Sequence, residues 1–577
     1  MRRNLVLTVV LLWGLLLSAC AGAIPPAAAP VPAEPPAEPQ AGGILNIWLP
    51  NGWPDQSMLH LSHWESSWAI SPMVDPYFVI NADGSMQGIL AEGVDVSADG
   101  LTYTMKLHDG VTFHDGTPLT AEDVIYAMLM RYNPQTRPLA EIRNAGSIKG
   151  IKAYQAGEAE TIEGVTQVDE LTVQFTLESP DAGFLRLFFT GSGTDFPYPQ
   201  PKHILEGLDQ AKLFDGTLDY WYTAPVGTGP YKFVKYETDQ YIEYDRNENY
   251  WGGKVGPEKL FMKIAAPEVA LVMLQKGEVD LVSPVALTEI DRLKEDPSIE
   301  ILEAENVGSW WGLEMNFYTM DGLWKNPKAK QAFLYAVDRQ AYVDSILRGY
   351  GKVRDSFFDG TPYACPTMTH YPYDPEKAKA LLAEINVNPE DVVIDLMSWL
   401  GIKARLDYLP IAQEYLRQIG FKVNVDLIDN ALEPEYSMGE GPRGKDWDFH
   451  VLWYGPGADP GSIDPWLRPG QSSNAGYRSW PARPDAAGVK EGAWYWENPR
   501  VTELLDLAKV ESDPAKRTAY FQEIDCIWNE ELPSLTTVAA SIMGAKSSRL
   551  QGINWQDMAA LGQPSTFLPA TWWVWQQ

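Results

Sequence analysis

Apolar positions along this chain follow two periods. From Leu101 to Leu107 they recur at every second residue, and Asp109-Gly110 follows, so the segment reads as a strand entering a turn. Thr120 then precedes Asp123 by three residues, with Val124, Ala127 and Met128 behind it; that spacing predicts a capped helix start. Further on, Val392 to Met397 reads as a strand. Ile402, Leu406, Leu409, Leu416 and Ile419 mark one helix face that Gly420 stops, and Phe421, Val423, Val425 and Leu427 alternate again. Strand, helix and strand in that order predict a β-α-β unit and an α/β fold. Pro410 falls inside the helix and predicts a kink, because it offers no amide. No internal repeat is visible.

The first residues follow neither period. Arg2 and Arg3 precede an apolar run from Leu5 to Leu17, and Leu17-Ser-Ala-Cys20 ends it, which is the layout of a secretory signal peptide (1–20). It resembles a bacterial lipoprotein signal, which implies lipid on Cys20 and an extracytoplasmic protein anchored to the membrane through that lipid alone. Residues 21–42 are mainly Ala and Pro and cannot offset their ordering entropy by burial, so they read as an extended tether. No later stretch is apolar for the roughly 18 residues a helical span needs.

Composition adds size and charge. The 577 residues exceed one ordinary core, so two or three domains are expected. The net charge of -32 becomes -34 once Arg2 and Arg3 leave, which argues against nucleic acid or anionic lipid as the ligand. Beyond Cys20 there are only Cys365 and Cys526; they either pair in an oxidising compartment or stay as buried thiols. The 22 Trp are the outlier, with clusters at Trp48, Trp53, Trp64 and Trp68, at Trp310 and Trp311, at Trp447, Trp453 and Trp466, and at Trp572, Trp573 and Trp575. Core packing explains most single indoles, whereas clusters beside Gly/Pro loops also suit a pocket that stacks on sugars or apolar ligands.

Catalytic signals are weak. Gly227-Thr-Gly-Pro230 lacks the Gly-Lys-Ser/Thr ending of a phosphate loop and precedes a strand, Tyr231 to Tyr236, so it reads as a turn. His114-Asp115 reads as turn chemistry. His60 and His63 have no evident third metal ligand, and no Ser/His/Asp arrangement or nucleophile elbow is present. The expectation is a protein that is not an enzyme and carries no metal or cofactor.

Seven segments together carry a family resemblance. In order they are Ala98-Asp-Gly-Leu-Thr-Tyr-Thr104, Val111-Thr-Phe-His-Asp-Gly-Thr-Pro-Leu-Thr-Ala-Glu-Asp-Val124, Pro225-Val-Gly-Thr-Gly-Pro-Tyr-Lys-Phe233, Arg246-Asn-Glu-Asn-Tyr-Trp-Gly-Gly253, Leu274-Gln-Lys-Gly-Glu-Val-Asp280, Lys330-Gln-Ala-Phe-Leu-Tyr-Ala-Val-Asp-Arg339 and Asp374-Pro-Glu-Lys-Ala-Lys-Ala-Leu-Leu382. The chain resembles the extracellular solute-binding proteins of bacterial ABC importers, in the family that holds the oligopeptide- and dipeptide-binding proteins. The resemblance implies a two-lobed α/β binding-protein fold with an extra domain on the first lobe and a two-segment hinge. It places lobe I at 43–305 with the extra domain at about 81–200, lobe II at 306–540, and a return to lobe I at 541–577. It also implies a monomer that captures a small-molecule solute by closing its lobes and hands it to an ABC permease.

For the ligand, the resemblance directs attention to Asp448-Phe-His-Val-Leu-Trp-Tyr-Gly-Pro-Gly-Ala-Asp-Pro460. In peptide-binding relatives an Asp in the loop after this strand receives the peptide ammonium; here Pro456 stands there, and Asp459 would replace it only if the loop shifted. Trp399 stands near the place of an Arg that holds the carboxylate in dipeptide binders. With both charge anchors missing, the expected ligand is an oligosaccharide held by Trp453, Tyr454, Asp459, Trp399, Trp310, Trp311, Trp64 and Trp68. An oligopeptide or dipeptide ligand is the alternative, and a sensing or chaperone-like lipoprotein without a permease is another.

Overall fold

The computed structural model describes residues 42–50, 69–81, 84–135, 144–189, 197–215, 217–306, 310–315, 322–400, 403–429, 447–455, 459–468, 496–558 and 573–574. The Cys20 segment and the 21–41 part of the tether lie outside them.

In chain order, β1 (Ile44–Leu49) opens the first large sheet, and β2 (Phe78–Ile80) with β3 (Met86–Gly88) makes a hairpin. A four-stranded sheet follows from β4 (Ala91–Val96), β5 (Thr102–Leu107), β6 (Val165–Asp169) and β7 (Thr172–Thr176), in the order β4-β5-β7-β6. The chain then returns to the first sheet with β8 (Tyr231–Glu237), β9 (Tyr241–Arg246), β10 (Lys259–Ile264), β11 (Leu281–Val282) and β12 (Ile299–Ala304). The second large sheet takes β13 (Trp310–Met315), β14 (Gly351–Val353), β15 (Val393–Trp399), β16 (Lys422–Ile428), β17 (Phe449–Tyr454) and β18 (Leu535–Ala540), in the order β14-β18-β13-β17-β15-β16. Finally β19 (Ile542–Ser547) rejoins the first sheet, whose order is β12-β19-β11-β1-β10-β9-β8, and β20 (Leu550–Gln551) pairs with β21 (Trp573–Val574). The chain therefore passes between the large sheets twice, after Ala304 and at Ser541. The result is two α/β lobes, with the four-stranded sheet as an extra domain on the first.

Each unit has its own core. The extra domain packs Tyr103, Met105, Phe175, Phe184, Phe188 and Phe189 together. The first lobe's sheet is covered on one side by a cluster with Leu45, Ile47 and Trp221 and on the other by one with Trp48, Leu271 and Leu293. In the second lobe every residue of β13 is buried, as expected of a central strand covered on both faces.

Local patterns explain these elements. The strand read from Leu101 forms at Thr102–Leu107 and turns at Gly110, whose φ of 79° favours glycine. The helix Ala121–Arg131 starts at Thr120, whose amide donates to Asp123 Oδ2 at 3.0 Å. The β-α-β unit is β15, the helix Lys403–Gln418 and β16, with the strands parallel. The helix continues through Pro410 as one element.

Cys365 and Cys526 are bonded, with their Cα atoms 4.8 Å apart. The link fastens the loop after β14 to the helix Pro514–Glu531. Beside it, fully buried Asp525 accepts from Ser356 Oγ at 2.6 Å, Phe358 N at 2.9 Å and Cys365 N at 2.8 Å, so the carboxylate organises the same loop. Burial pushes its pKa up to about 6.

Candidate functional site

The segments that carried the resemblance build frame rather than reaction centre. His114 sits between two turn glycines: its Nδ1 accepts from Gly227 N at 3.3 Å, and its Nε2 lies 3.0 Å from Gly229 O. With Nδ1 accepting, Nε2 carries the hydrogen, and the ring is neutral; burial pushes its pKa down to about 4. The glycines are required because the turn presses on the backbone of Pro72 to Val74, just before Asp75. A Cβ on Gly227 would lie 2.1 Å from Met73 O, and one on Gly229 2.4 Å from Met73 C. Next to them, buried Asp75 accepts from Tyr250 Oη at 2.8 Å and Trp251 Nε1 at 3.0 Å, and burial pushes its pKa up to about 6.

Other motifs have similar roles. Asp280 accepts from Asn46 N in β1 and Arg549 Nε, tying the middle of the first sheet to the returning chain. Arg339 is buried and donates to Arg354 O, Thr536 O, Tyr371 O and Asp355 Oδ1, four links made by one guanidinium. Asp374 caps the helix Pro375–Glu384 through Lys377 N.

Strand direction locates the place for a ligand. In the first sheet β1, β10 and β11 are parallel, so their carboxyl ends Leu49, Ile264 and Val282 point the way β12 leaves at Ala304. In the second sheet β15, β16 and β17 are parallel, and Tyr454 at the end of β17 pairs with Trp310 at the start of β13. The two sheets thus turn the carboxyl ends of their parallel strands toward the crossings. Open α/β sheets bind ligands at that end.

The crossings themselves are braced by charge. Glu305, on the first, lies 2.7 Å from Lys352 Nζ and 3.4 Å from Arg354 Nη2, and Arg354 also donates to Asn306 O at 3.0 Å. Ser541, on the second, donates to Glu303 Oε1 at 3.2 Å. The two cations hold the Glu305 carboxyl below its ordinary range, with the hydrogen bond from Lys352 the strongest lowering influence and partial burial opposing it.

The register collects the backbone of several expected site residues. Trp310 and Trp311 pair with Tyr454 and Trp453, and Trp399 ends β15 at the same side. Three of the expected site residues have partners within the protein. Trp310 is a core residue: its Nε1 donates to Phe357 O at 2.9 Å, and its ring meets Phe357 and Trp528 edge-on. Trp311 also packs in the core, edge-on to Tyr342, and retains 9% exposure. Asp459 is not an open anion. Both its oxygens are taken by Arg517, at 2.6 and 2.8 Å, and Oδ1 also accepts from Gly461 N at 2.7 Å. Pro456, Trp64 and Trp68 lie outside the described residues, as do the side chains of Trp399, Trp453 and Tyr454.

Comparison with known proteins names this frame. Residues 85–478 match the model of the bacterial extracellular solute-binding proteins, family 5 Middle. The chain belongs to this family. Its members bind solutes outside the cytoplasm for transport rather than catalysis. A putative ABC transporter peptide-binding protein of Brucella ovis is 28% identical over 490 residues, 84% of each chain. Among solved structures, an ABC transporter substrate-binding protein of Listeria monocytogenes aligns with a TM-score of 0.74 at 24% identity, over 93% of this chain and all of that one. The oligopeptide-binding protein of Bacillus subtilis in complex with a nonapeptide gives a TM-score of 0.68 at 22% identity, over 93% and 100%. These structures share the two-lobed fold with this family 5 member.

Arg517 was not among the residues the sequence singled out. It stands 58 residues after Asp459 in sequence, outside any family segment. One signal was available. Arg517, Phe521, Ile524 and Trp528 fall on one helix face, and the last three are buried, so a guanidinium aligned with them needs a buried partner.

Proposed function

We propose that this protein is the lipid-anchored capture component of an ABC importer and that its solute is a short peptide. The match to a peptide-binding relative across 84% of both chains supports the peptide class, because it spans both lobes rather than one motif. The peptide lies between the sheet ends, where contacts to both lobes favour the closed form. Cys20 carries the lipid and the Pro/Ala tether holds a monomeric body off the membrane.

One observation keeps an oligosaccharide as the second reading. With Arg517 on both oxygens of Asp459, that carboxylate offers no unpaired charge for a peptide ammonium, while Trp399 and Trp453 stand at the strand ends. A peptide held here is therefore gripped through its backbone and side chains.

Thermal-shift and calorimetric titration of the mature body with short peptides, their N-acetylated forms and neutral oligosaccharides tests both readings, since a ligand that binds only the folded state raises Tm by mass action. Peptides are expected to raise Tm, with N-acetylation changing affinity less than about tenfold. A response to oligosaccharides alone would replace the peptide reading. Anchoring is checked separately: Cys20→Ser is expected to release the protein from membranes and abolish fatty-acid labelling.

A further inference from the structure

The Asp459–Arg517 pair touches more than its own lobe. Arg517 Nε donates to Ala508 O at 2.9 Å at the end of the helix Pro499–Val510, and its guanidinium lies 5.1 Å from the centre of the Phe521 ring. One side chain therefore ties together three pieces of lobe II: Asp459, the helix 499–510, and the helix 514–531. Against this platform sits a turn of the extra domain. Ala182 N donates to Lys509 O at 2.6 Å. Gly183 is buried so closely that a Cβ on it would lie 3.1 Å from Asp459 Oδ1 and 3.2 Å from Arg517 Nη2. Lys509 Nζ stands 4.0 Å from Asp181 Oδ2.

The turn is held firmly on its own side. Asp181 O accepts from Tyr103 Oη at 2.9 Å, Asp181 Oδ2 accepts from Ser147 Oγ at 2.8 Å, and Phe184 packs on Tyr103 and Phe188 within the extra domain's core. Two rigid surfaces from different lobes thus meet with a backbone hydrogen bond and a glycine-tight contact. They meet at Asp459 and Arg517.

We propose that the extra domain is a closure clasp: the Asp181–Gly183 turn docks on the platform that Arg517 assembles, and Arg517 is the positioning residue that holds Asp459 and that platform in place for lobe closure. The inference rests on the two-lobed fold and not on the class of solute. Anything that displaces Asp459 or Arg517 moves the surface that Gly183 must fit.

The solute-free mature protein tests this directly. Ala182 N has its partner in the other lobe, so its hydrogen exchange reports clasp formation, while amides of β5 report the integrity of the extra domain. Ala182 is expected to be protected in the parent protein. Gly183→Leu, which wedges the contact, is expected to speed exchange at Ala182 by about tenfold or more and enlarge the radius of gyration in small-angle scattering, with β5 unchanged. Arg517→Gln is expected to do the same, and Arg517→Lys to do so less. An unprotected Ala182 in the parent, or a Gly183→Leu protein with parental exchange and radius, overturns the clasp. If Gly183→Leu disturbs β5, Arg517→Gln decides alone under the same criteria. Because no solute is present, failure here is distinct from a wrong peptide assignment.

Discussion

Asp75 in the first lobe and Asp459 in the second are both about 1% exposed, and glycines press tightly on Asp459 itself and on the residues just before Asp75. Asp75 accepts from neutral donors, Tyr250 Oη and Trp251 Nε1, its own amide donates to the Thr228 hydroxyl, and burial raises its pKa to about 6. Asp459 is clamped by a guanidinium in a two-pronged geometry. The first arrangement joins segments of a single lobe that never need to separate, and a carboxyl that can hold its proton tolerates a dry site there. The second lies where two lobes meet. A fixed charge pair keeps its geometry whether or not the neighbouring lobe covers it, which a proton-sharing group does not.

The largest expected effect breaks the charged member. Arg517→Met leaves the buried Asp459 uncompensated and is expected to cost ~3–5 kcal/mol in urea unfolding, with much of it regained in the double variant Arg517→Met/Asp459→Leu. Equal costs for the single and double variants would show that the pair is not the determinant.

The next effect concerns pH. Because the Asp75 carboxyl is raised from 3.8 to about 6, the folded chain holds a proton over a window where the unfolded chain has lost it. Its contribution is full below the unfolded value and is lost as pH rises through about 6, a swing of about 3 kcal/mol. Asp525 has the same sign. His114, lowered from 6.5 to about 4, has the opposite sign: its stability is lost as pH falls through about 4. Since these slopes oppose, the informative quantity is a difference. The Tm of the parent minus that of Asp75→Asn is expected to be larger at pH 4 than at pH 7, and a difference flat with pH would remove the raised pKa.

Smaller effects sharpen the contrast. Trp251→Phe removes one neutral donor from Asp75 and is expected to cost ~1–3 kcal/mol by chemical unfolding. Lys509→Met is expected to change global stability by less than ~0.5 kcal/mol, because the ammonium is 43% exposed and 4.0 Å from its carboxylate. A loss near that of Arg517→Met would mean that the ion pair, not the backbone contact, holds the clasp.

The period-two run at Leu101, the Thr120–Asp123 cap and the β-α-β unit were legible because each rests on interactions within a few dozen residues, where spacing alone decides which side chains share a face. Glycine roles were only half legible. Gly227 and Gly229 read as turn residues, yet the reason they cannot carry a side chain is Met73, more than 150 residues earlier. The candidate site was the least legible part. Trp310 and Trp311 are adjacent in the sequence and cluster near other aromatics, but a central strand covered on both faces makes both core residues.

The sequence by itself determined the α/β class, the local caps and turns, and the family, since these depend on periodicity and on short segments in a fixed order. Tertiary structure alone decided that Cys365 meets Cys526, that Asp459 pairs with Arg517, and that the extra domain reaches lobe II through Ala182 and Gly183. The physical reason is the same in each case. Whether a charge, thiol or indole is available depends on what is packed against it, and those neighbours are brought in by strand order and lobe crossings that no local spacing records.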